Sequence, residues 1–99
     1  MIEQPGCEWC ARWDEEIGGA YPKTEEGRRA PLRRIDLRST ELKAMALKPR
    51  PRFTPTFILL SNGEEVGRIE GYPGDHFFWG LFQRLLDKLP EESPAAVSK

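Results

Sequence analysis

Apolar positions in the first half of the chain predict two strands that alternate with two helices. Residues 1–4 read as the end of a strand, and apolar side chains then recur at helical intervals over 9–20. A second strand is predicted over 31–37, where the alternation of apolar and polar residues is imperfect. Ser39 can cap a further short helix over 40–47.

The second half predicts a β-hairpin and a final helix. Residues 57–60 form a continuous apolar run, as expected for a strand that is buried on both faces. Asn62-Gly63 is a strong hairpin signal, and the returning strand is predicted over 66–70. Asp75 can cap the last helix, which Pro90 ends. The apolar stripe of that helix consists of Phe78, Leu81, Phe82, Leu85 and Leu89.

The predicted order of elements is strand, helix, strand, helix, strand, strand and helix. A β-α-β beginning and a β-β-α ending indicate an α/β domain, with a mixed sheet of about four strands and helices on both faces. The first strand is short, because Met1 and Ile2 are its only apolar residues, and we interpret this as a trimmed or processed N-terminus. We expect one domain over 1–90 and a disordered polar tail over 91–99.

Composition excludes several classes of protein. The 99 residues are 38% hydrophobic, which suits one globular domain. Fifteen basic and sixteen acidic residues nearly cancel, and no apolar run approaches roughly 18 residues. Nine basic residues lie between 28 and 52 without the interleaved aromatics of a nucleic-acid groove, so they form a solvated face or steer an acidic partner. We expect no nucleic-acid partner and no membrane span.

Both cysteines lie in the stretch Pro5-Gly6-Cys7-Glu8-Trp9-Cys10, at the start of the first predicted helix. The helix N-terminus stabilises a thiolate at Cys7, and a thiolate with a neighbouring thiol is what thiol–disulfide exchange requires. A zinc site takes about four ligands, whereas the chain adds only His76 to the two cysteines. We therefore favour redox chemistry and expect neither a metal nor a cofactor. His76, at the start of the last helix, is expected on the far side from Cys7.

A second motif, taken together with the cysteine pair, indicates a protein family. Thr54-Pro55-Thr56 leads into the buried strand, and Gly63 and Gly71 follow it. Together with the C-x-x-C spacing, this pattern resembles the thioredoxin superfamily over nearly the whole chain. The resemblance implies a thiol–disulfide oxidoreductase in which Cys7 attacks and a buried Cys10 resolves. It also implies a cis bond before Pro55 and a Thr54 backbone that is offered to a bound peptide.

The residues around the motif suggest where a partner binds. Trp9 lies in a turn that must be open for exchange, so we favour a docking role over that of a helix-face aromatic. Trp13 is expected in the core. By the resemblance, Gly71 borders the substrate groove, and Tyr72 follows it. The predicted substrate-binding residues are Trp9, Thr54, Pro55, Gly71 and Tyr72.

Several positions depart from ordinary thioredoxins. Glu8-Trp9 stands where those proteins have Gly-Pro, and Gly6 stands where they have tryptophan. The position of their buried acid is Met1, so we suggest Glu3 as a weak substitute in proton transfer to Cys10. These differences indicate a specialised protein with a narrower choice of partner.

The segment 21–27 is an insert between the first helix and the second strand. It resembles exported thioredoxin-like proteins, and in particular the SoxS-like periplasmic thioredoxins of bacterial sulfur-oxidation gene clusters. That likeness implies a periplasmic reductant of one partner protein, such as a sulfur carrier, with an upstream electron donor. A cytoplasmic location is the alternative. The competing function is a binding or chaperone-like module that uses the groove without turnover.

Overall fold

The structure is a computed structural model that describes residues 1–89. The predicted tail over 91–99 lies outside the described residues. Within the described part, no helix is long and apolar enough to cross a membrane. The strands are β1 (Ile2–Glu3), β2 (Ile35–Asp36), β3 (Thr56–Ser61) and β4 (Glu64–Glu70). The α-helices are α1 (Glu8–Trp13), α2 (Glu25–Arg29), α3 (Thr40–Ala44) and α4 (Asp75–Leu86), with a π-helical stretch at Asp14–Gly18 and a 3₁₀ turn at Tyr21–Lys23.

The four strands form one mixed sheet in the order β2-β1-β3-β4. β1 is parallel to β2, with Ile2 opposite Ile35, and antiparallel to β3, with Ile2 opposite Thr56. β3 and β4 pair antiparallel across the predicted Asn62-Gly63 turn. The predicted α/β class with a four-stranded mixed sheet is confirmed.

Side chains of β3 alternate between two apolar clusters, one on each face of the sheet. Phe57 and Leu59 belong to the larger cluster, in which Trp13 of α1 and Phe78 of α4 are fully buried. Ile58 packs against the smaller cluster on the other face. Ile2, Ile35 and Leu42 form the centre of that smaller cluster. Helices therefore cover both faces, and Trp13 lies in the core as predicted.

Several local predictions differ from the structure. The helix predicted over 40–47 ends at Ala44, and Ala46 has a positive φ that an α-helix cannot continue through. β2 is shorter than the predicted 31–37, because β1 offers it a ladder of two residues only. Gly74, and not Asp75, is the N-cap of α4, since the Asp75 carboxylate accepts a hydrogen bond from the backbone of His76 instead. Leu81 is 39% exposed, and Leu86 takes its place in the buried stripe.

The insert folds into the 3₁₀ turn and α2 against the main core. The Thr24 hydroxyl accepts from Gly27 N–H at 2.9 Å and donates to Tyr21 O at 2.7 Å, so one side chain closes this turn. The ring of Tyr21 is buried and its hydroxyl donates to Ala30 O at 2.6 Å. This hydroxyl is protonated at neutral pH, and burial raises the pKa of Tyr21 further.

Candidate active site

The two cysteines form a disulfide across the first turn of α1. Cys7 is the N-cap of the helix, and its Sγ accepts a hydrogen bond from Cys10 N–H at 3.1 Å. The two Cα atoms lie 5.2 Å apart. Cys10 is 5% exposed, whereas Cys7 is only partly buried. An attacking partner can therefore reach Cys7 more easily than Cys10.

The turn before Cys7 explains one departure from ordinary thioredoxins. Gly6 has φ +78°, a left-handed backbone conformation that residues other than glycine rarely adopt. The backbone N–H of Cys7 then reaches Gln4 O at 3.3 Å. A tryptophan at position 6 would strain this backbone.

Trp9 and Trp13 point to opposite environments from the same helix. Trp9, between the two cysteines, is 52% exposed, and the guanidinium of Arg12 lies 5.5 Å from its ring centroid. Trp13 packs against Phe57 and Phe78 in the core. The exposed aromatic face beside the disulfide is available to a partner, as a docking role requires.

The Thr54-Pro55 segment lies beside the cysteine turn. The bond before Pro55 is cis, as the resemblance implied, and a second cis bond precedes Pro49. Gln4, whose carbonyl binds Cys7 N–H, also donates from its side chain to Thr54 Oγ1 at 3.1 Å. Among the turn and loop backbone hydrogen bonds of residues 1–89, none involves Thr54. Its backbone is thus free to pair with an extended peptide.

A third segment, residues 71–74, begins with a hydrogen bond to the Thr54-Pro55 segment. Gly71, with φ +89°, donates its N–H to Pro55 O at 2.8 Å. The ring of Tyr72 is buried, with its centroid 6.2 Å from that of Phe78, and its hydroxyl donates to Glu16 Oε1. Burial, and then the hydrogen bond to Glu16, raise the pKa of Tyr72 above its usual value. Gly71 and Tyr72 therefore lie next to the predicted site, although most of the tyrosine ring faces the core.

Comparison with solved structures finds a protein that shares both fold and sequence with the chain. The periplasmic thioredoxin SoxS from Paracoccus pantotrophus, solved in its reduced form, is 47% identical. The match covers 89% of this chain and 93% of that chain, with a TM-score of 0.78. The chain belongs to the thioredoxin superfamily. No protein-family model matches it, and a search of curated proteins finds no match.

The match confirms both levels of the predicted resemblance, to thioredoxins and to SoxS-like thioredoxins. The match also shows that the C-x-x-C pair belongs to a chain of the thioredoxin superfamily, which the geometry of the pair alone does not show. Within residues 1–89, the His, Cys, Asp and Glu side chains form no group of three or more that could hold a metal ion.

An open depression of about 460 Å³ lies beside Trp9 of this thioredoxin-like chain. One wall belongs to α1 and the π-helical stretch, and the other to the segment 71–74 and the start of α4. Its lining residues are Trp9, Arg12, Glu16, Tyr72, Pro73, Gly74 and Asp75. A more enclosed apolar cavity of about 60 Å³ lies elsewhere, between the core clusters, and no residue of the C-x-x-C stretch lines it. Of the C-x-x-C stretch, Trp9 lines the larger depression and the two cysteines do not.

The Glu3 carboxylate, suggested for proton transfer to Cys10, is already paired with a cation. It accepts from Arg34 at 2.8 Å, and the same guanidinium donates to Asp14 at 2.7 Å. The side chain of His76 is 99% exposed and approaches Asp75. It does not line the depression beside Trp9.

Sequence reasoning missed two neighbours of the site. Phe53, just before Thr54, is 59% exposed, and its carbonyl is held by the Thr56 hydroxyl at 2.8 Å. Gln4 joins the cysteine turn to Thr54. An exposed aromatic next to the Thr-Pro motif was a usable signal for Phe53, whereas nothing local distinguishes Gln4 from any other polar loop residue.

Proposed function

We propose that the chain is a thiol–disulfide oxidoreductase that reduces a disulfide of a partner protein. The observation that carries this proposal is the division of roles within the pair: Cys7 lies at a helix N-terminus and is partly exposed, while Cys10 is buried behind it. Hydrogen bonds to the N-terminal sulfur favour its thiolate, which is the attacking species. If both sulfurs were buried, neither thiolate could reach a disulfide of the partner.

The proposed reaction transfers two electrons in two displacements. The Cys7 thiolate attacks one partner sulfur, so that a Cys7–partner disulfide forms and the other partner sulfur leaves as a thiolate. Cys10, as a thiolate, then attacks Cys7 Sγ; the Cys7–Cys10 disulfide forms and the second partner thiolate is released. The partner ends as a dithiol with two added protons and electrons, and an upstream dithiol donor must reduce the pair again.

The segments around the pair support a peptide-binding role. The unpaired backbone of Thr54, next to cis-Pro55, can hydrogen-bond to an extended partner chain. Trp9 offers a large exposed ring between the two cysteines in the sequence. Gly71 is bonded to Pro55 O, and Tyr72 lines the same depression as Trp9, so we propose all five residues as the partner-binding surface.

For the biological setting we propose a periplasmic protein that serves one partner of bacterial sulfur oxidation, such as a sulfur-carrier protein. The support is the likeness to the periplasmic thioredoxin SoxS together with the Glu8-Trp9 pair, which gives the active-site turn its own charge and shape. The competing proposal is a module that keeps the fold and groove but only binds. In such a module the reduction potential of the cysteine pair would not need to lie in the range of thioredoxin-like redox pairs.

The reduction potential of the Cys7–Cys10 pair separates these proposals. We expect one two-electron transition between about −270 and −120 mV, the range of thioredoxin-like redox pairs. The protein would be equilibrated in thiol buffers of defined potential, and its free thiols alkylated and counted by mass spectrometry. Cys10→Ser is the matched control, because it cannot close the intramolecular disulfide.

A potential below about −300 mV would contradict the proposed function, because that value is typical of structural disulfides. It would favour a binding module whose disulfide only holds the first turn of α1 in place.

A further inference from the structure

One carboxylate connects the two walls of the depression beside Trp9. Glu16 lies in the π-helical stretch after α1, and its Oε1 accepts the hydrogen bond from the Tyr72 hydroxyl across 56 residues of sequence. Its other oxygen lies 3.8 Å from the guanidinium of Arg12. Arg12 in turn lies over the ring of Trp9. A continuous set of contacts therefore runs from the segment 71–74 to the exposed aromatic between the cysteines.

The Tyr72 end of this set is the stronger one. The tyrosine ring is buried against Phe78, and its hydroxyl donates to the Glu16 carboxylate, a charged acceptor that makes a stronger hydrogen bond than a neutral one. The hydroxyl is protonated at neutral pH, and burial followed by the hydrogen bond to Glu16 raises the pKa of Tyr72 further. The Arg12–Glu16 ion pair is exposed and long, and such pairs contribute little by themselves.

Fixing Tyr72 also fixes what is joined to it. Gly71, the preceding residue, holds Pro55 O by its backbone N–H at 2.8 Å. Pro55 follows Thr54, whose backbone makes none of the turn and loop hydrogen bonds within residues 1–89. A displacement of Tyr72 would thus be transmitted through Gly71 to the Thr54-Pro55 segment, the segment proposed to pair with a partner peptide.

We propose that Glu16 is a positioning residue for disulfide exchange, which holds the segment 71–74, through Tyr72, in the arrangement that accepts a partner chain. This inference rests on the proposed oxidoreductase function. Glu16 acts through the Tyr72 hydroxyl and takes no part in the sulfur chemistry. Its removal should therefore weaken the use of a peptide disulfide and leave the intrinsic reactivity of Cys7 unchanged.

Two probes separate these effects. The first is a cysteine-containing peptide joined by a disulfide to thionitrobenzoate, and the second is the small reagent 5,5′-dithiobis(2-nitrobenzoate), which has no peptide chain to be aligned. Attack by the Cys7 thiolate of the reduced protein releases coloured thionitrobenzoate from either probe. For Glu16→Ala we expect roughly a tenfold higher peptide concentration at half-maximal rate, with an unchanged rate for the small reagent and an unchanged reduction potential.

Matched variants make the outcome specific. Glu15→Ala, an exposed acid in the same π-helical stretch, should behave as wild type. Glu16→Gln keeps an acceptor for the Tyr72 hydroxyl and should restore most of the peptide reactivity. Tyr72→Phe keeps the buried ring without its hydroxyl and should reproduce the Glu16→Ala effect, and the two changes combined should cost little more than either alone.

The proposal is overturned if Glu16→Ala and Tyr72→Phe both use the peptide as well as Glu15→Ala does. It is also overturned if the small reagent slows in parallel with the peptide. If Glu16→Ala fails to fold, Tyr72→Phe alone decides the question by the same two rates. A wild-type protein that reacts with neither probe would instead contradict the proposed function itself.

Discussion

Serine in place of Cys7 is expected to reduce disulfide exchange to the background rate. A serine hydroxyl does not form a disulfide, and the remaining thiol, Cys10, is 5% exposed and cannot readily meet a partner sulfur. Cys10→Ser is the matched comparison, because it removes one sulfur from the same turn of α1. That variant should still attack once through Cys7 but should not turn over.

The measurement is the rate of thionitrobenzoate release by each reduced variant, compared with wild type. Equal activity in Cys7→Ser and Cys10→Ser would contradict the division of roles. So would a Cys7→Ser protein that is more active than Cys10→Ser, since Cys10 would then be the attacking thiol.

Alanine in place of Phe78 is expected to lower the free energy of unfolding by about 3–5 kcal/mol, the usual cost of truncating a fully buried phenylalanine. The ring is 1% exposed, and its centroid lies 4.8 Å from that of Phe57 and 5.9 Å from that of Trp13. It joins α4 to the sheet and to α1. Phe77, the next residue along the helix, offers a control of identical chemistry.

Phe77 is 71% exposed, so Phe77→Ala should change the free energy of unfolding by no more than about 0.5 kcal/mol. Urea unfolding of both variants measures the difference. A similar loss of unfolding free energy in the two variants would mean that α4 does not pack against the sheet through the face that carries Phe78. A destabilised Phe78→Ala protein should also hold Tyr72 less firmly, because the two rings are in contact.

Local patterns predicted most of the fold because their physical causes are local. The apolar run at 57–60 became the central part of β3, and Asn62-Gly63 closed the hairpin with β4. Spacings of three and four residues placed Phe78 and Phe82 in the core. Leu81 was misplaced because spacing alone does not say where the edge of a buried stripe falls, and the sheet decides that edge.

Contacts between distant segments could not be predicted in the same way. The Gln4–Thr54 and Tyr72–Glu16 hydrogen bonds join residues that are 50 and 56 positions apart. Each depends on the fold bringing two distant segments together, and neither has a residue pattern of its own. The length of β2 could not be predicted either, because it is limited by the pairing with β1 and not by the side chains of β2 itself.

The central claim is that Cys7 attacks a partner disulfide and Cys10 resolves the product. Trapping the intermediate tests it most directly: reduced Cys10→Ser protein is mixed with a disulfide-bonded partner or peptide, and the products are weighed by mass spectrometry. Because the chain has two cysteines, this variant retains Cys7 alone. We predict one covalent adduct per chain, located at Cys7 and released by dithiothreitol. The absence of any adduct, with the substrate disulfide left intact by wild type as well, would contradict the account.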